Sequence, residues 1–323
     1  MILPYAVSFT ILLKELPNGA KNMNNLHQYK AFGLTINSEF KIPQLPQIES
    51  DGTHDVVILK NDLSGLDIKN EHYRVNANEI LFSLSDVGKF HIKNGKCLRC
   101  DPADKCSNSH FSVYIMGSGM GAILHQRGYM PLHGSCVTDC NISILIVGDS
   151  GAGKSTLAAE FLSHGWKLLT DDVAALSDIE TTPMVQASYP SQKLWQDSMN
   201  HYEKTDEDIH SLYTSENREK FGVNVAEYFY DGCCPLRLIV RLMPTNEVCS
   251  ITPIEGMTKL DQLMRNTYRS YMIAPENRER HFRRCATLAG KIPMVLVTRQ
   301  NSVQCADKLY EMITNYLGEK NNG

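Results

Sequence analysis

The sequence lacks long hydrophobic runs, has no excess of positive charge and contains few cysteines, and each shortage removes a class of protein. No apolar stretch reaches the roughly 18 residues that a spanning helix requires, so an integral helical membrane protein is not expected. The opening stretch from Met1 to Leu13 is apolar, but nothing basic precedes it and no small-residue cleavage site follows, which argues against a secretory signal. Met23 offers an alternative start, with residues 1–22 as an appendage. A formal net charge of -4 speaks against a general nucleic-acid binder, which carries a basic excess. Ten cysteines in 323 residues are too sparse for a disulfide-stapled secreted scaffold. Cys97 and Cys100 form a C-x-x-C with Cys106 and His110 downstream, but no second pair completes a zinc site. They read as structural cysteines of a reduced, cytoplasmic protein.

What is present is an ordinary globular composition, 42% hydrophobic and 21% charged, long enough for one large or two modest domains at roughly 150 residues each. Charge is unevenly spread. Residues 166–232 hold thirteen acidic against five basic residues, whereas 233–300 hold eleven basic against five acidic. From Tyr29 to Asp101 the signals are strands: His54–Leu59 is an apolar run, Ile80, Phe82 and Leu84 alternate with polar neighbours, and Asn94-Gly95 between two such runs predicts a hairpin. Residues 111–127 read as a helix weakened by Gly117, Gly119 and Gly121. After Met130 strand-length runs at 132–137, 142–147, 166–169, 236–242 and 294–297 alternate with helical patterns at 154–163, 257–271, 276–288 and 303–317, the signature of an α/β domain. Residues 201–220, polar and acidic, read as a long loop or exposed helix. The expected division is an extension over 1–27, a β-rich domain with a linking helix over 28–128, and an α/β P-loop domain over 129–323.

The decisive motif is Gly148-Asp149-Ser150-Gly151-Ala152-Gly153-Lys154-Ser155-Thr156, which matches G-x-x-x-x-G-K-[ST] directly after a predicted strand and before a predicted helix. Glycines let successive N–H groups turn inward around phosphate oxygens, and the helix N-terminus adds its partial positive charge. In such a loop Lys154 reaches the β- and γ-phosphates of ATP and the Ser155 hydroxyl ligates Mg²⁺. Asp171 and Asp172 follow only 17 and 18 residues after Lys154, at the end of the next strand, an interval that one helix and a return strand fill. A carboxylate there can hold Mg²⁺ or accept the proton of an attacking hydroxyl. Adjacent strand residues point to opposite faces, so only one of the pair is expected to touch substrate. His133, on the strand preceding the loop, is the third candidate, set against a purely packing role.

In order and spacing, L-H-G-S at 132–135, G-D-S-G-A-G-K-S-T at 148–156 and H-G-W-K-L-L-T-D-D at 164–172 resemble the catalytic domain of HPr kinase/phosphorylase. The resemblance implies the fold shared with the phosphate loop of phosphoenolpyruvate carboxykinase, preceded here by a small β-rich domain. It also implies ATP–Mg²⁺ on Lys154 and Ser155, one of Asp171 and Asp172 as proton acceptor, and His133 at the active site. The family's downstream E-I-R-G-L-G-type signature is absent, and Asp197 is the nearest acid for its magnesium-binding Glu, with Asp172 the other carboxylate assigned to metal. The stretch from Ala31 to Pro43, with Arg265-Asn266-Thr267-Tyr268-Arg269, resembles HPr-kinase-like proteins encoded beside lasso-peptide precursors, which phosphorylate the precursor's C-terminal serine.

That second resemblance implies a precursor peptide as partner rather than HPr, with no nucleic acid and no membrane involved. Arg265 and Arg269, four apart on a predicted helix and so on one face, are the candidate peptide or phosphate ligands. Three other readings compete: HPr kinase itself, a small-molecule kinase, which would usually begin with its phosphate loop, and a non-catalytic ATP-binding regulator, which would need no positioned base.

Overall fold

In the computed structural model the described residues are 26–50, 52–66, 72–195, 209–215, 218–301 and 305–321. The first part builds one eight-stranded sheet from β1 (His27–Ala31), β2 (Leu34–Ser38), β3 (Gln47–Ile48), β4 (Val56–Lys60), β5 (Tyr73–Val75), β6 (Glu79–Leu84), β7 (Gly88–Lys93) and β8 (Cys97–Pro102), in the order β3-β1-β2-β4-β8-β7-β6-β5. The predicted Asn94-Gly95 hairpin joins β7 to β8: both turn residues have positive φ, 54° and 62°, and Lys96 N donates to Lys93 O at 3.0 Å. Cys100 on β8 is buried in this sheet's core beside Phe90 and Leu98.

The glycine-bearing segment is helical, as its periodicity predicts, but it winds in three pieces. α1 (Asn108–Tyr114) is capped by Ser107 Oγ, which accepts from His110 N at 3.2 Å. A buried π turn over Ile115–Gly119 follows, then α2 (Met120–Gln126). The glycines that weaken the pattern serve packing: a Cβ on Gly117 would lie 3.1 Å from the Tyr268 hydroxyl, and one on Gly121 would lie 2.9 Å from its ring.

The second sheet contains β9 (Met130–Thr138), β10 (Ser143–Val147), β11 (Lys167–Thr170), β12 (Val173–Ser177), β13 (Met184–Gln186), β17 (Cys233–Thr245), β18 (Ser250–Pro253) and β19 (Met294–Gln300). Its order is β10-β9-β12-β13-β17-β19-β18, with β11 also on β9 and β10 running parallel to β17. Three strands, β14 (Ser191–Trp195), β15 (Ile209–Ser215) and β16 (Arg218–Asn224), form a separate sheet in the order β14-β16-β15. The expectation of a loop or exposed helix over 201–220 is therefore corrected within the described residues: 209–215 and 218–224 are paired strands. Polar composition misled because backbone pairing between β15 and β16 orders this segment.

Helices cover both faces of the second sheet. On one, α3 (Lys154–Ser163) packs Leu157, Phe161 and Leu162 with Leu309 and Ile313 of α6 (Ala306–Asn321). On the other, α4 (Gly256–Arg265) and α5 (Arg278–Lys291) contribute Leu260, Leu263, Cys285 and Leu288. Burying a side chain as large as Phe161 contributes about 2–3 kcal/mol, so α3 is pinned along its length and its N-terminus is held fixed. The helix expected over 257–271 stops at Arg265. Beyond it the chain bonds to β9 instead, with His133 N donating to Asn266 O at 2.7 Å and Tyr268 N donating to Pro131 O at 2.9 Å. The core of the first sheet continues into Val173, Tyr189, Tyr268 and Met272 of the second part, so the two sheets share apolar contact.

Candidate active site

The phosphate loop lies between β10 and α3, where the sequence places it. Gly148, Gly151 and Gly153 have φ of 151°, 79° and 97°, and a Cβ on Gly148 would meet the Leu242 carbonyl at 2.5 Å. Gly153 is the N-cap of α3 and has no side chain with which to cap the helix's first turn. Lys154 is buried, and its ammonium donates to the carbonyls of Gly148 and Asp149 at 2.9 and 3.0 Å, inside the loop. Arg299, near the end of β19, donates through Nε to Ala152 O at 2.6 Å and braces the loop from outside. Asp149 is exposed, 3.7 Å from the Arg241 guanidinium. Ser155 and Thr156 begin the first turn of α3, and Ser150 and Gly151 form the loop's crest.

The Asp pair interrupts a long strand. β11 and β12 lie end to end along one edge of β9, and Asp171 and Asp172 form the break opposite Gly134 and Ser135. Asp172 has φ of 81°, a left-handed conformation that ends strict alternation. Both carboxylates consequently contact the same residue. Asp171 Oδ2 accepts from Lys193 N at 2.7 Å, and Asp172 Oδ2 accepts from Lys193 Nζ at 2.6 Å. The two residues form a break between strands, so the regular alternation behind the opposite-faces expectation does not apply to them.

Their surroundings differ. Asp171 is 4% exposed and also accepts from the Ser135 hydroxyl and from Ser155 Oγ, the latter at 3.1 and 3.3 Å from its two oxygens. Gln192 Nε2 donates to Ser155 O at 2.8 Å and fixes the same turn. The loop serine is thus joined to Asp171 rather than to Asp172. Ser155 and Asp171 offer hard oxygen donors of the kind Mg²⁺ takes, so these residues fit that ion. Asp172, its carboxylate on an ammonium, is less suited to it. Asp197 lies outside the described residues.

Asp172 faces a cavity of about 380 Å³ lined by Tyr114, His133, Lys193, Tyr268 and Arg269 among others. His133 Nδ1 lies 3.0 Å from Asp172 O and 3.5 Å from its Oδ1. Burial lowers the His133 pKa despite the neighbouring carboxylate, and Lys154 adds to the decrease, so near neutral pH the ring is uncharged and Nδ1–H is the donor to the carbonyl. For Lys193 burial opposes the charge, but Asp172 beside it more than compensates and the pKa rises. Burial raises the Tyr268 hydroxyl to about 12. The Tyr268 ring is 6.1 Å from that of His133 and 5.5 Å from the Arg269 guanidinium.

The two candidate arginines separate. Arg269 reaches the cavity from a residue with φ of 48°, outside any helix. Arg265 ends α4, exposed, with its Nε on Asp261 at 2.6 Å. The shared helix face is therefore corrected, because α4 ends before it reaches Arg269. Lys193, Tyr268, Ser135 and Gln192 were not singled out from the sequence. Ser135 stands inside L-H-G-S and Tyr268 inside R-N-T-Y-R, but Lys193 carried no signal of its own.

A glycine loop on a pinned helix, with a hydroxyl and a carboxylate at its first turn and a second carboxylate on an adjoining cavity, defines a P-loop domain. Residues 127–199 match the family described as HPr Serine kinase C-terminal domain, and the chain is HPr kinase-like in this domain. Similar curated proteins are HPr kinase/phosphorylases. That of Clostridium beijerinckii is 47% identical over 49 residues, covering 15% of this chain and 16% of the relative. That of Aromatoleum aromaticum is 31% identical over 97 residues (26% and 31%), and that of Xylella fastidiosa 27% over 127 residues (36% and 40%). The matched regions thus span well under half of these relatives' lengths. Among solved structures, an Hpr(Ser) kinase/phosphatase from Coxiella burnetii aligns with a TM-score of 0.32 at 11% identity, covering 60% of this chain and 99% of that one.

Proposed function

We propose that the chain is an ATP- and Mg²⁺-dependent kinase that transfers the γ-phosphate to a serine hydroxyl. The observation that carries this reading is the division of labour between adjacent carboxylates, Asp171 on the loop serine and Asp172 on the cavity. Loop amides and the Lys154 ammonium hold the phosphates of ATP, and Ser155 with Asp171 holds the metal, which when bound neutralises charge on the transferring group. The acceptor hydroxyl enters the cavity beside Asp172. Its oxygen bonds to the γ-phosphorus as the bond to the bridging oxygen breaks, ADP leaves, and the hydroxyl proton passes to the Asp172 carboxylate. Lys193 orients that carboxylate through its ammonium, and His133 fixes the Asp172 backbone through its carbonyl.

For the acceptor we propose the C-terminal serine of a ribosomally made precursor peptide of the lasso type. The absent HPr-binding signature disfavours HPr, and Arg269 at the cavity offers a guanidinium for a terminal carboxylate. With this reading go the division at 28–128 and 129–323 and a cytoplasmic location. Among the described residues no helix is long and apolar enough to cross a membrane.

The test is mass spectrometry of candidate peptides incubated with ATP–Mg²⁺. The expected product is singly phosphorylated and disappears when the terminal Ser becomes Ala. Asp172→Asn should keep ATP binding and lose about 10²–10⁴-fold in transfer, while Asp171→Asn should raise the Mg²⁺ requirement. Phosphorylation of HPr or a metabolite alone would overturn the peptide assignment and leave the kinase intact; unchanged kinetics in both Asn variants would overturn the mechanism.

A further inference from the structure

Large apolar side chains scattered singly over a surface need no explanation, but Tyr73 and Tyr271 are not scattered. They are 45% and 41% exposed, and their ring centroids lie 5.1 Å apart with the planes at 42°. Tyr73 stands on β5, the last strand of the first sheet, and Tyr271 on the turn that follows Arg269. Their contact therefore joins the two parts of the chain at the surface. Neither ring is buried, and the proposed transfer uses neither.

The turn that carries Tyr271 is held from both ends. Tyr268 before it and Met272 after it are buried in the core of the first sheet. Met272 N donates to Arg269 O at 2.8 Å, and Ile273 N donates to Ser270 O at 3.1 Å. Between these anchors Arg269, Ser270 and Tyr271 face solvent. Arg269 lines the Asp172 cavity and lies within electrostatic reach of both Tyr271 and Asp172. Two residues span at most about 7 Å of chain, so the aromatic pair flanks the cavity on the side of the guanidinium.

We propose that Tyr73 and Tyr271 form a platform that selects the acceptor peptide by an aromatic side chain two positions before its phosphorylated serine. The inference rests on the reading of the acceptor as a peptide with a C-terminal serine. With the hydroxyl beside Asp172 and the terminal carboxylate on Arg269, the preceding residues have to leave the cavity. In an extended chain alternate side chains share a face and lie about 7 Å apart, the reach from Arg269 to the pair. Two tyrosines offer ring faces and edges, so an aromatic side chain gains more there than an aliphatic one of equal area. Tyrosine has only two side-chain torsions, and the turn beneath Tyr271 is already fixed, so little freedom is lost on contact.

The experiment compares two synthetic peptides with free C-termini, Gly-Gly-Gly-Gly-Phe-Gly-Ser and the same peptide with Ala in place of Phe, at saturating ATP–Mg²⁺. Mass spectrometry follows their phosphorylation by the full chain, unaltered and as Tyr73→Ala, Tyr271→Ala, Tyr271→Phe and, as a control on an exposed ring of α5, Phe282→Ala. All three positions are exposed, so the variants should fold normally, checked by thermal unfolding. The unaltered chain should show a KM about 10-fold lower for the Phe peptide, at equal kcat. Tyr73→Ala and Tyr271→Ala should each shrink that ratio below about 3 by raising the KM for the Phe peptide, while Tyr271→Phe and Phe282→Ala keep it. Equal KM for the two peptides in the unaltered chain, or a preference that survives both Ala variants, overturns the platform and leaves the peptide-kinase reading standing. Phosphorylation of neither peptide overturns the platform, and with it the peptide reading where no candidate precursor is modified either.

Discussion

Replacing Lys193 with Met tests the charge arrangement at its centre. The ammonium lies 2.6 Å from Asp172, and the two side chains are only 12% and 17% exposed. At an effective dielectric constant of about 20 the gross attraction at that distance is about 6 kcal/mol, most of it offset by the desolvation of both groups. Met keeps the stem's volume but leaves the carboxylate without its ammonium partner. Breaking one side of a buried pair costs about 3–5 kcal/mol, and the residual exposure of both partners places the expected loss near 3 kcal/mol. Urea unfolding of the full chain measures it. The pH dependence has a defined sign. The Lys193 pKa is raised on folding, so its contribution is fully present below the unfolded value near 10.4 and is lost only as pH rises through the folded value. Between pH 6 and 9 the stability difference between parent and variant should therefore be flat. Adding Asp172→Asn to Lys193→Met should recover part of the loss, because the orphaned charge is gone. A loss below about 1 kcal/mol, or strict additivity of the two substitutions, would refute the reasoning and reduce the pair to a surface contact.

Lys154→Ala should abolish ATP binding measured by calorimetry, since the ammonium lies inside the loop; full turnover in that variant would remove the nucleotide assignment. Arg269→Ala should raise the KM for the acceptor about 10-fold or more, the worth of one charge-assisted contact, while Arg265→Ala, on a residue exposed and paired to Asp261, should leave it unchanged. The His125 pKa is lowered from 6.5 to about 4, chiefly by burial. The unfolded chain binds this proton first on acidification, so stability is lost as pH falls from about 6.5 towards 4, by up to about 3 kcal/mol. His125→Gln should flatten that part of the urea-melt pH profile, and an unchanged slope would assign the loss to other groups.

How much of this was readable beforehand depends on how the contacts are made. The phosphate loop, α3 and the Asp pair lie within one strand–helix–strand stretch, so their spacing alone brings Ser155 to Asp171. The pair's geometry was not readable, because alternation fails where Asp172 takes a left-handed conformation at the break between β11 and β12. Tyr268 and Arg269 come from far along the chain. They arrive because the chain leaves α4 at Asn266 and hydrogen-bonds to β9 at Pro131 and His133, a tertiary choice that overrides the helical periodicity. That choice also needs Gly117 and Gly121, whose missing side chains seat the Tyr268 ring against the π turn. The same glycines lower the helix propensity of their own segment and complete a cavity across two sheets, so the local sequence signal and the site pull in opposite directions there.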